Sequence, residues 1–62
     1  VIDVAHIEAW EKITQPGRCL VYITSGTGAS DDEKLREGDL VETRDFNYKA
    51  KKASKLILSY EL

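Results

Sequence analysis

The chain has 62 residues, 42% of them hydrophobic and 32% charged, with a formal net charge of −2. That is one domain at most; a chain this short hides only about 60% of its unfolded surface, so its stability is expected to be marginal. A single cysteine excludes an internal disulfide, a single histidine argues against a closed zinc site, and no apolar run approaches the roughly 20 residues of a membrane span.

In chain order, Asp3 is a good helix cap, and Ile7, Trp10 and Ile13 behind it fall on one broad face at 3.6-residue periodicity. Pro16-Gly17 supplies a stop, so a helix is expected over Val4 to Gln15. Arg18 to Thr24 reads as a strand. Cys19, Val21 and Ile23 point one way, and Leu20, Tyr22 and Thr24 the other, which suits a central strand covered on both sides. After the loop Ser25-Gly26-Thr27-Gly28-Ala29, the string Ser30-Asp31-Asp32-Glu33 has the letters of a capping box, with Gly38 as a stop, so a short solvated helix is expected there.

Leu40 to Phe46 reads as a second strand. At the carboxyl end, Asn47 could cap a helix with Ala50, Ala53, Ile57 and Tyr60 on one face, but Leu56, Leu58, Tyr60 and Leu62 alternate strictly, which favours a strand over 56–62. The expected fold is a small α+β domain, order α-β-α-β-β, with an antiparallel C-terminal strand pair. Its expected core is Ile7, Trp10, Ile13, Leu20, Val21, Ile23, Leu40, Leu56, Leu58 and Tyr60. Residues 1–62 are read as one domain. Because the chain starts at Val1 and holds no methionine, it reads as an excerpt or trimmed form of something longer. It has no basic-then-apolar leader, and its lone cysteine fits a reducing compartment, so a cytoplasmic location is expected.

The string Tyr22-Ile23-Thr24-Ser25-Gly26-Thr27-Gly28 is similar to part of the phosphate loop of adenylate-forming enzymes, where a strand also runs into threonine, serine and glycines. The likeness covers seven residues and departs where that loop supplies a lysine, since Ala29-Ser30-Asp31-Asp32 follows here. Two carboxylates would repel phosphate, and a flexible connection explains the same letters. Cys19 and His6 are the only nucleophile-and-base pair available. Cys19 alternates with apolar residues, where cysteines are ordinarily inert, and no supporting group completes a catalytic set. The acids Asp31, Asp32, Glu33 and Glu37 lack the spacing of a calcium loop. No enzyme activity, cofactor or metal is expected.

Charge is sorted along the chain. Residues 30–45 hold seven acids and three bases, a balance of −4, whereas residues 46–62 hold four lysines and one acid, a balance of +3. A polarised surface steers charged partners. Lys49, Lys51, Lys52 and Lys55, with Tyr48 beside them, are therefore the candidate partner-binding residues. The expected function is that of a non-enzymatic protein–protein interaction module, accessory or regulatory, docking on a larger protein. The alternative is nucleic-acid binding through the lysines of 49–55, with Tyr48 stacking on a base. The acidic balance of the whole chain, and a cluster without arginine, favour the protein partner.

Overall fold

A computed structural model describes residues 1–61. Within them the fold is all β: β1 (Ile2–Ile7), β2 (Lys12–Ser25), β3 (Thr27–Ser30), β4 (Glu33–Arg36), β5 (Leu40–Ala50) and β6 (Ser54–Tyr60). They form one antiparallel sheet in the order β1-β6-β2-β5-β3-β4.

The expected α+β fold is overturned, because neither helix exists. Residues 2–14 contain five β-branched side chains, Ile2, Val4, Ile7, Ile13 and Thr14, which fit a pleated surface better than a helix. Ile7 and Ile13 do both pack against the core, but from different strands. Between those strands Trp10 sits in a turn, two-thirds exposed. The second expected helix is a hairpin. Ser30 pairs with Glu33 across a two-residue turn, in which Asp31 takes φ 53, a conformation aspartate tolerates. The first and last letters of the capping box are thus cross-strand partners.

The expected C-terminal strand pair is also absent. A strand does occupy 54–60, but β2 lies between it and β5. Leu62, counted in that expected strand, lies outside the described residues.

Alternation places Cys19, Val21 and Ile23 of β2, Leu56 and Leu58 of β6, and Phe46, Tyr48 and Ala50 of β5 in one buried cluster with Leu35 of β4. Each fully buried large apolar side chain contributes about 1.5–3 kcal/mol. The cluster reaches from β6 to the edge strand β4, so the sheet curls around a single core. Part of the bend comes from a β-bulge. The β2–β5 register slips between Gln15 and Arg18, where Pro16 and Gly17 face Asp45 alone. Gly17 and Asp45 both have positive φ (80 and 51), and the Gly17 N–H donates to Asp45 Oδ1 at 2.8 Å. The slip changes the parity of β5: Val41 and Thr43 face inward before it, Phe46, Tyr48 and Ala50 after it. Proline is tolerated here because a bulge does not need its missing N–H.

Only part of the expected core is buried. Trp10 is 67% and Leu40 64% exposed, and Leu20 is also exposed. Phe46, Tyr48 and Leu35 fill the interior instead. The two-sided burial expected for β2 is therefore corrected to one-sided burial.

Candidate functional site

Two surfaces stand out, on different parts of the sheet. The first is the outer face of β1, β6, β2 and β5. Cross-strand register sets Val4 beside Ile57, Ile57 beside Tyr22 and Tyr22 beside Leu40, an apolar row four strands wide. In the adjoining row Ile2 and Leu20 flank Ser59. Val4, Tyr22, Leu40, Ile2 and Leu20 are all exposed, and Ile57 is half-buried. Single apolar residues scattered on a surface are ordinary, whereas contiguous ones mark contact sites. Polar groups border the patch, with His6 paired to Lys55 at one end and Arg18 and Glu42 at the other. Arg18 donates to Glu42 at 2.7 Å, and the carboxylate holds the guanidinium above its ordinary pKa. Both groups are largely exposed, so the pair adds little stability.

The second surface is a groove of about 660 Å³ lined by Lys49, Ala50 and Lys51 at the carboxyl end of β5 and by Asp39 just before its start. Its floor includes the small residues Thr27, Gly28 and Ala29 of β3. Lys34 and Arg36 of β4 stand on one side, Lys49 and Lys51 on the other, and Trp10 also lines it. Register explains the grouping: Lys12, Lys49, Ala29 and Lys34 are successive partners across β2, β5, β3 and β4. Four of the lining residues are basic and one, Asp39, is acidic, a local balance of +3 on a chain of net −2. The Asp39 carboxylate accepts the Arg36 backbone N–H at 3.0 Å. Among the described residues the one salt bridge is Arg18–Glu42, so the groove's cations are not neutralised by ion pairing.

Trp10 is held there by backbone geometry. Its φ of 71 is uncommon for a bulky residue, and surrounding hydrogen bonds maintain it. The Trp10 N–H donates to the Ala50 carbonyl at 2.7 Å, and the Glu11 N–H to the Glu8 carbonyl at 3.1 Å. The Glu8 N–H donates to Glu11 Oε1 at 2.8 Å.

The residues singled out from the sequence separate. Lys49 and Lys51 line the groove. Lys52 lies in the turn between β5 and β6, where its carbonyl accepts the Ser54 hydroxyl at 2.7 Å. Lys55 lies opposite His6, at the margin of the apolar patch. Tyr48 is only 1% exposed, stacked near Phe46 with ring centroids 6.1 Å apart. Its hydroxyl lies 2.9 Å from Ser54 Oγ. Since Ser54 spends its proton on Lys52, Tyr48 is the donor in that pair. Tyr48 thus belongs to the core, and the aromatic group beside the lysines is Trp10. Lys34 and Arg36 were hidden in the acidic block by counting along the chain; the alternation Lys34-Leu35-Arg36 was the signal that both face one way.

Gly26 and Gly28 of the phosphate-loop-like string serve packing. Gly26 turns at φ 91 against Ser54, and a Cβ on Gly28 would lie 2.6 Å from the Tyr48 hydroxyl oxygen. Cys19 is buried, which pushes its thiol pKa up, although a backbone hydrogen bond with Phe46 offsets part of the shift. Among the described residues, no group of three or more His, Cys, Asp and Glu side chains is placed to hold a metal ion. No protein-family model, curated protein or solved structure matches the chain.

Proposed function

We propose that this protein is a non-catalytic docking module, and that the outer sheet face is where a larger protein partner seats. The carrying observation is the apolar row Val4–Ile57–Tyr22–Leu40, continuous across four strands and largely open to solvent. Such a strip, bordered by polar residues, has the anatomy of an interface core within a polar rim. The row also ends on β1, an edge strand paired only with β6 among the described residues. An unpaired strand edge offers backbone N–H and C=O groups that another polypeptide can satisfy by adding a strand. That complementarity favours a protein as occupant.

The test places a photoreactive benzoylphenylalanine at Leu20, and at Glu33 as a control, and irradiates the chain in extract from its source. The expected result is one discrete adduct from position 20, none from position 33, and loss of the adduct in a Leu40→Lys background whose melting is unchanged. An adduct made of two copies of this chain, with concentration-dependent sedimentation, would replace the larger partner by self-association. Equal adducts from both positions would refute a specific face.

A further inference from the structure

From the groove beside Trp10 we infer a second binding site, for single-stranded nucleic acid, separate from the apolar face. Three independent features meet there. The first is charge: Lys34, Arg36, Lys49 and Lys51 converge from both sides and are free of salt bridges among the described residues. Phosphates are the ligand such a cluster takes, with Arg36 able to form two parallel hydrogen bonds to one phosphate.

The second feature is Trp10. A large aromatic side chain that is mostly exposed gains little from burial, and this one also sits on a strained backbone. Strain held in place by the hydrogen bonds around it is characteristic of functional positions. An indole presented next to cations is the platform on which bases stack in single-strand binding proteins, a contact worth about 1–3 kcal/mol per base.

The third feature is shape. Thr27, Gly28 and Ala29 leave the floor low, and about 660 Å³ falls within the range of ordinary ligand pockets, on a nucleotide's scale rather than a duplex's. A duplex hides its base faces within the stack, so only a single strand brings both a base face for Trp10 and phosphates for the four cations. The site differs from the cluster proposed from sequence: Lys52, Lys55 and Tyr48 do not line it, and Lys34, Arg36 and Trp10 do.

Trp10 is the only tryptophan, so its own emission reports on the groove. Titration with a 12-nucleotide oligo-dT or oligo-rU at low salt should quench it. Each phosphate contact should contribute about 0.7 to the fall of log affinity with log salt. The Lys34→Gln/Lys49→Gln double variant should therefore shallow that slope by about 1.4. Anisotropy of a labelled oligonucleotide should show Trp10→Gly weakening binding roughly 5- to 150-fold, the equivalent of one lost base stack. Glycine is comfortable at positive φ, so this variant should melt no lower than the parent. A Leu20→Ser variant, uncharged and outside the groove lining, should bind the oligonucleotide like the parent, separating this site from the apolar face.

Absence of quenching at low salt would overturn the inference, as would salt dependence unchanged by the double variant. A duplex of equal length binding as tightly would overturn the single-strand assignment. An acidic peptide binding as tightly, with the same mutational pattern, would assign the groove to protein instead.

Discussion

Replacing Leu58 and Leu40 by alanine, one at a time, separates a sheet with one buried face from a fold in which both residues are core. Leu58 is 2% exposed, set between Val21 of β2 and the edge strand β1. Leu58→Ala removes three carbons, about 2.4 kcal/mol of transfer free energy at ~0.8 kcal/mol each. If some 60 Å³ stays open, the cavity adds about 1.5 kcal/mol at ~24 cal/mol per Å³, for a total near 4 kcal/mol. Domains of this length have about 3–9 kcal/mol of stability in all, so the variant should melt more than about 10 °C lower. Leu40→Ala, on the open face, should stay within about 0.5 kcal/mol of the parent. Urea unfolding followed by far-UV circular dichroism measures both, since the exposed Trp10 is a poor reporter of folding. If Leu58→Ala fails to fold, Ile23→Val, costing about 0.5–1.5 kcal/mol, gives the inner-face value. A Leu40→Ala cost equal to that of Leu58→Ala would refute the one-sided sheet.

Tyr48→Phe should cost about 0.5–1.5 kcal/mol by losing the bond to Ser54, whose hydroxyl keeps its Lys52 acceptor; an unchanged urea midpoint would remove that bond from the account. Gly28→Ala should destabilise more than Tyr48→Phe, because the new methyl meets Tyr48 and the Lys49 carbonyl, and thermal melting checks the order. Cys19 should resist iodoacetamide in the folded protein and react in denaturant. Its folded pKa is raised, so above the ordinary value of 9.0 the unfolded state sheds its proton first and stability falls as pH rises. Cys19→Ala should flatten that alkaline decline, and an identical decline in the variant would assign it to other groups.

How much of this was legible in the sequence depended on whether one period dominated locally. Cys19-Val21-Ile23 and Leu56-Leu58 alternate without interruption, and both segments are strands with those residues inward. Over residues 7–13 the spacing of Ile7, Trp10 and Ile13 imitates a helix, because the turn sets the inward-packing Ile7 and Ile13 six residues apart with the exposed Trp10 midway. The β-branched content of residues 2–14 carried the better signal. Ser30-Asp31-Asp32-Glu33 is ambiguous for a chemical reason: short polar side chains that cap a helix also suit a tight turn. Beyond Asp45 the bulge reverses which residues face inward, so Phe46, Tyr48 and Ala50 are out of phase with Val41 and Thr43. No single period across β5 could have found them. The groove was the least legible feature, since three strands, β3, β4 and β5, and the turn carrying Trp10 meet there through long-range register.

The free chain leaves an apolar face open on one side of its sheet, and the proposed docking function depends on that openness. Methyl NMR with a soluble gadolinium chelate measures that openness directly. The methyls of Val4, Leu20 and Leu40 should broaden strongly, while those of Val21, Leu56 and Leu58 should be spared. Protection of Leu20 and Leu40 equal to that of Leu58 would mean that this face is already covered in the free protein, and would contradict the claim.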